Sequence, residues 1–202
     1  MAEMENSKDL ISVLWSGADI LRSKMDANEY KNYLLGIIFY KYLSDSFLIK
    51  VYDMICDGKP QTLKEALDVY VKELESEDGE ELKQGMKEEC HYVIERELTY
   101  TYFADAARNN SFNREQLQKA FNNIEQSDPI FADLFADIDL YSNRLGTGDQ
   151  KQSDTVASLI KEIDKADLLN SDAEILGNAY EYLIGQFASE TGKKAGEFYT
   201  PQ

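Results

Sequence analysis

Leu10, Val13, Leu14, Ala18 and Leu21 recur at intervals of three and four, with Ile11 and Trp15 on the flanks. That spacing lays them along one side of a 3.6-residue turn and predicts an amphipathic helix beginning at Ser7. Asp26-Ala-Asn-Glu29 then has the form of a capping box, in which the Asp accepts from free backbone N–H groups and the Glu reaches back. Beyond it the pattern loses its polar side: Tyr33, Leu34, Leu35, Ile37, Ile38, Phe39, Tyr40 and Leu43 surround the axis. A helix that is apolar nearly all round belongs in the middle of a bundle. The helix running to about Cys56 is therefore predicted to be the central one, stopped by Gly58-Lys-Pro60.

Thr62-Leu-Lys-Glu65 is a second capping box, followed by a stripe of Leu63, Ala66, Leu67, Tyr70, Val71 and Leu74. The acidic run Glu73 to Glu81, with Gly79 inside it, reads as a solvated turn, and another helix is predicted over Leu82 to Leu98. Thr99-Tyr-Thr-Tyr-Phe103 alternates and is rich in strand formers, so it is read as an extended connector or one short pairing. Asn113-Arg-Glu-Gln116 opens a helix with Leu117, Ala120, Phe121 and Ile124 facing inward, ended by Ser127-Asp-Pro129. Leu134, Phe135, Ile138 and Leu140 form an ambiguous apolar stretch before a turn at Gly146-Thr-Gly148. Val156, Leu159, Ile160 and Ile163 define a further helix, and Ser171-Asp-Ala-Glu174 caps a last one carrying Ile175, Leu176, Ala179, Tyr182, Leu183 and Phe187. No repeat of 20 to 50 residues is visible. The expected fold class is mainly α, a helical bundle, with a boundary near Asn170.

Composition narrows the partners. Net charge is −17, with residues 51–110 and 111–202 each contributing −8. Phosphate binding needs clustered Lys and Arg, so any DNA contact has to come from a local patch or from another part of a complex. The acidic start Met-Ala-Glu-Met-Glu-Asn reads against a secretion signal, and the apolar run Tyr33 to Tyr40 is far short of a membrane span. Only Cys56 and Cys90 are present, too few for a disulfide scaffold. Reduced thiols in a cytoplasmic protein are the expectation.

Candidate chemistry is sparse. The single histidine, His91, excludes most histidine-based constellations and any second His for zinc. Beside Cys90 in a predicted amphipathic helix, it reads as a surface or boundary side chain. Gly146-Thr-Gly148 lacks the third glycine of a phosphate-cradling loop. Tyr100, Tyr102 and Phe103 lack basic neighbours for base stacking and read as core. The tail is different: Thr191-Gly-Lys-Lys-Ala-Gly-Glu-Phe-Tyr-Thr-Pro-Gln202 combines two glycines, an adjacent lysine pair, two aromatics and a Thr200 that Pro201 pushes toward extended geometry.

That tail resembles the segment leading into the catalytic domain of type I restriction-modification methyltransferase subunits, the HsdM family. Leu14-Trp-Ser-Gly-Ala-Asp-Ile-Leu-Arg22, Met25-Asp-Ala-Asn-Glu-Tyr-Lys31 and Phe39-Tyr-Lys-Tyr-Leu-Ser-Asp45 look like the opening of its N-terminal helical domain. Leu176-Gly-Asn-Ala-Tyr-Glu-Tyr-Leu-Ile184 and Gly192 to Pro201 look like the junction with the methyltransferase domain. About residues 55–165 match only in helical character. The resemblance implies transfer of a methyl group from S-adenosyl-L-methionine to adenine N6 in DNA. It implies an N-terminal helical domain over 1–169, with the linking helix and first cofactor segment of a truncated Rossmann-like domain over 170–202. Glu197, Phe198, Tyr199, Thr200, Pro201 and Gln202 match the family's first cofactor-contacting segment; aromatic faces suit a sulfonium cation. The implied partners are a specificity subunit, a second methyltransferase subunit and a restriction subunit, with DNA reached through the assembled complex and no membrane. The departures are plain: with Pro60, Pro129 and Pro201 as the only prolines, the Asn-Pro-Pro-aromatic base-binding motif is absent, as is the glycine-containing cofactor loop. The 202 residues alone are therefore expected to be inactive. A stand-alone helical interaction module is the alternative, and an acidic DNA mimic, resting on charge only, a third reading.

Overall fold

The computed structural model describes residues 2–168, with side chains from Leu10 onward, and the isolated helical positions Gly177, Glu181 and Gly185. Its helices are α1 (Ala2–Arg22), α2 (Ala27–Cys56), α3 (Leu63–Leu74), α4 (Gly79–Cys90), α5 (Tyr100–Arg108), α6 (Arg114–Ser127) and α7 (Asp149–Ile163). Short 3-10 turns stand at Arg96–Leu98 and Pro129–Phe131, and no strand occurs among the described residues. The mainly α expectation holds.

α2 is the axis of the bundle. Asp26 caps it by accepting from the Asn28 and Glu29 amides at 3.0 and 3.3 Å. Its thirty residues give a rod of ~45 Å, against which α1, α3, α4, α5 and α7 all pack. Leu34, Ile37, Tyr40, Phe47, Leu48 and Val51 are wholly buried, each contributing ~2 kcal/mol over an exposed position. The helix ends where Asp57 turns left-handed (φ 53°), just before Pro60. α1 approaches closely: a Cβ on Gly17 would stand 2.8 Å from Leu34 Cδ2. α3 carries the expected cap, Thr62 Oγ1 accepting from Glu65 N at 3.1 Å. Its Glu65 reaches past Thr62 to accept from Gln61 N (2.8 Å) and from the Tyr52 hydroxyl (2.9 Å).

Several boundaries differ from the sequence reading. α1 starts at Ala2, before Ser7. Gly79 is not inside a turn but opens α4, where a Cβ would meet Leu74 O at 2.8 Å, so glycine lets the new helix start against the end of α3. The single helix expected over Leu82–Leu98 breaks at His91, which adopts the left-handed conformation (φ 69°). The chain then runs extended, burying Tyr92 and Ile94 on one side with Val93 half-buried between them, and the Tyr92 hydroxyl donates to Leu43 O at 3.0 Å. Thr99–Phe103, expected to be an extended connector or one short pairing, is instead the start of α5. Thr99 is its cap, accepting from Tyr102 N at 3.3 Å, and Tyr100, Phe103, Ala104 and Ala107 form the buried stripe. Five alternating residues were too short a window; the helical period becomes visible only when the alanines are counted.

Ala132 to Gly148 is an ordered irregular segment, settling the ambiguous Leu134–Leu140 stretch as a succession of turns. Phe135 stacks on Phe121 with centroids 4.1 Å apart. Ile138 fills a notch left by Gly36, where a Cβ would come within 2.0 Å of its Cδ1. Tyr33 donates to Asp139 O at 2.6 Å, and Thr155 donates to Leu145 O at 2.6 Å. Gly146 and Gly148 take positive φ, and Gly148 hands the chain to α7.

Candidate functional site

Glu197, Phe198, Tyr199, Thr200, Pro201 and Gln202 lie outside the described residues, as does the Ser171–Glu174 cap. Of Leu176–Ile184, the structure describes only Gly177 and Glu181, both exposed helical positions. What it places in full is the other end of the resemblance, including Phe39–Asp45 in the fourth and fifth turns of α2.

Those turns hold a polar cluster inside the apolar core. Lys41 Nζ bonds Asp45 Oδ2 at 2.6 Å, with both side chains no more than 2% exposed, and lies 5.0 Å from the centre of the Tyr100 ring. Ser44 Oγ accepts from Tyr100 N at 2.7 Å, and the Tyr100 hydroxyl donates to Ile160 O at 2.9 Å. Tyr40 donates to Leu98 O at 2.6 Å. Helix α2 is thereby stitched to the start of α5 and, through Tyr100, to the end of α7. Asp45 Oδ1 is buried without a hydrogen-bond partner. Burial pushes the Asp45 carboxyl up to about 6; Lys41 pulls against that rise, and Asp164 and Asp167 add to it. Asp164 is itself held by Arg108, which bridges it at 2.5 Å to Asp105 on α5 at 2.6 Å. Ala166 and Leu168 remain buried beyond α7, so the chain is pinned to the bundle as far as Leu168.

The apolar pattern of α2 hides this pair in the sequence. A lysine and an aspartate four apart inside such a helix were the available signal.

Arg114 makes a second buried junction. Only 5% exposed, it donates to the Asp149 backbone and carboxylate at 2.7 Å each and lies 4.6 Å over Tyr141. Arg144 pairs with Glu29, tying the 132–148 segment to the first turn of α2. Both arrangements position backbone. Among the described residues, no group of His, Cys, Asp and Glu could hold a metal ion. His91 is exposed, 3.3 Å from Asp128; Cys56 and Cys90 are free thiols, with burial holding the Cys90 thiol above its ordinary value. Tyr100 and Phe103 are core, as expected. No helix among the described residues is long and apolar enough to cross a membrane.

Comparison with known proteins matches this geometry to a family. The family model described as the HsdM N-terminal domain matches residues 10–163, and that described as N-6 DNA Methylase matches residues 171–202. The chain is 27% identical over 203 residues to the type I restriction enzyme MpnII methylase subunit of Mycoplasma pneumoniae, covering 94% of this chain and 36% of that protein. It is 31% identical over 199 residues to the type I restriction enzyme MjaVIII methylase subunit of Methanocaldococcus jannaschii, covering 96% and 30%. The crystal structure of the type I restriction-modification system methyltransferase subunit from Streptococcus thermophilus superposes with a TM-score of 0.86 at 49% identity, over 97% of this chain and 41% of that one. The chain thus spans about a third of the length of the curated relatives it matches. Each of these relatives is a methylase or methyltransferase subunit, none a free-standing helical module. With the match running from Leu10 in α1 to Ile163, the last residue of α7, this chain belongs to the HsdM N-terminal domain family.

Proposed function

We propose that this chain is the N-terminal part of the modification subunit of a type I restriction-modification system. The complete protein transfers a methyl group from S-adenosyl-L-methionine to adenine N6 at specific sites in DNA. Residues 1–169 serve assembly and the embrace of DNA, and residues 170–202 begin the methyltransferase domain. The observation that carries this reading is the order of the two family matches, the helical domain up to residue 163 and the N-6 DNA Methylase family from residue 171. Glu197 to Gln202 form one edge of the cofactor site. The donor set suits the ligand: aromatic faces for a sulfonium, a hydroxyl and extended backbone for its amino acid end. When bound, the cofactor supplies the methyl group. The partners are a specificity subunit, a second modification subunit and a restriction subunit, acting in the cytoplasm.

The test compares the complete gene product with the 202-residue chain in a radiolabelled methyl-transfer assay on DNA. Transfer by the complete protein in its complex and none by the chain is the expected result; transfer by the chain alone overturns the division of labour. Phe198→Ala with Tyr199→Ala in the complete protein should weaken S-adenosyl-L-methionine binding in a calorimetric titration while leaving helical content unchanged. Unaltered affinity would remove Glu197 to Gln202 from the cofactor site.

A further inference from the structure

The outer side of α3 borders two connected clefts that no part of the proposed function uses. One, of about 520 Å³, has Val71, Leu74 and Val93 as apolar walls and Glu75, Glu95 and Glu97 at its rim. The other, of about 310 Å³, shares Val71 and Arg96 with it and continues along α3 to Lys64. From Lys64 to Glu75 the groove follows the helix for ~16 Å, the length of about five extended residues.

The polar groups of the larger cleft are unevenly satisfied. Lys83 is matched by Glu80 at 2.5 Å, whereas Glu75, Glu95 and Glu97 have no ion-pair partner among the described residues. Glu95 and Glu97 both act on the buried Tyr70 phenol, so the two carboxylates crowd one wall. On the α6 side, Asn123 Oδ1 is buried with no hydrogen-bond partner. Against three free carboxylates and an orphan acceptor stands one unpaired cation, Arg96, on the ridge between the clefts.

We propose that this groove docks an extended segment of a partner polypeptide, with a lysine or arginine side chain seated in the cleft between α3 and the extended 92–95 segment. The aliphatic stem lies along Val71, Leu74 and Val93, as long cationic side chains cover apolar surface while keeping the head polar. The head donates to Glu95 and Glu97, while the Arg96 guanidinium meets a backbone carbonyl of the bound segment. The carboxylates exclude a nucleic acid phosphate from the same place. The groove chemistry rests on this geometry alone; that the segment comes from another subunit of a type I complex rests on the function proposed above.

Two blocked pentapeptides, acetyl-Ala-Leu-Arg-Leu-Ala-amide and its central-glutamate counterpart, test the groove by amide NMR titration of the isotopically labelled 202-residue chain. The arginine peptide should shift Val71, Leu74 and residues 93–97 and bind about tenfold more tightly than the glutamate peptide. Glu95→Gln with Glu97→Gln, both exposed positions, should abolish the difference without changing the circular dichroism. Val71→Lys, which places a tethered ammonium in the groove, should block the arginine peptide. Equal affinity for the two peptides, shifts elsewhere, or stronger shifts of the same amides by inorganic phosphate or duplex DNA overturn the proposal. In the assembled enzyme, a carbodiimide should join Glu95 or Glu97 to a lysine of another subunit. Absence of that link, with unchanged hydrogen exchange over 93–97 on assembly, overturns the partner assignment. Failure of any complex to form counts against the proposed function, while the peptide titration still decides the groove.

Discussion

Lys41 and Asp45 face each other across one turn of α2, and their pairing is an exchange of large opposing energies. Each charge loses its hydration on burial, and their 2.6 Å contact returns most of that loss but not a surplus. Removing one partner strands the other, so Lys41→Met or Asp45→Leu alone should cost ~3–5 kcal/mol. The double substitution should come within ~1 kcal/mol of the parent, a coupling readable by urea unfolding of all four proteins. The pH dependence has a definite sign. Asp45 titrates near 6 in the fold, above its ordinary 3.8. Its favourable contribution is therefore complete below the ordinary value and lost as pH rises through about 6. The stability difference between parent and Asp45→Asn should accordingly fall by on the order of 2–3 kcal/mol between about pH 4 and pH 7. Surface carboxylates act in the opposite sense. Glu65, lowered first by the Gln61 amide and then by Tyr52, and Glu89, lowered by Lys50, lose their contributions as pH falls through their folded values.

At the scale of elements, caps and notches decide how helices meet. Thr99 opens the stretch expected to be an extended connector or one short pairing, yet its hydroxyl accepts from Tyr102 N and donates to Arg96 O at 2.8 Å. Thr99→Ala should cost ~1 kcal/mol, seen as a lower urea midpoint with an unchanged slope. A strand role would predict little effect from losing the hydroxyl. Gly36 is a more demanding case. Alanine favours a helix interior by ~1 kcal/mol over glycine, but the added Cβ would lie 2.0 Å from Ile138 Cδ1. Gly36→Ala should therefore destabilise by a net ~1–3 kcal/mol as the 132–148 segment lifts. Adding Ile138→Ala should cost much less in that background than in the parent. Strict additivity would show that the notch does not seat the segment. Helix starts at Asp26, Thr62 and Asn113 were legible because a cap needs only one side chain and the next turn's amides. The break at His91 was not, since it depends on Tyr92 and Ile94 finding burial together on one side of an extended strip.

Charge governs the molecule as a whole. With −17 on 202 residues and its arginines at 22, 108, 114 and 144 already paired to carboxylates, the chain has little cation surface to release counterions from DNA. A gel-shift titration near physiological salt should show negligible duplex affinity for the chain alone. Tight binding that weakens steeply with salt would reveal a basic face the structure does not display. The candidate cofactor edge was legible only as a residue pattern, because Glu197 to Gln202 match a family segment but lie beyond the described residues. The Lys41–Asp45 cluster shows the converse: its residues belong to a block that carries that resemblance, and their burial emerged only in three dimensions.

The sequence by itself determined that this is a helical chain organised around α2. Periodicity and caps are local, and an apolar surface on every side of one helix has no stable place except a bundle centre. It also marked the family through short blocks near both ends, since those depend on residue identity. Only the tertiary structure decided that Ile138 would need Gly36, and that a lysine and an aspartate would share the core with Tyr100. Each of those outcomes rests on contacts between residues distant in sequence, where burial energy and steric fit override local preference.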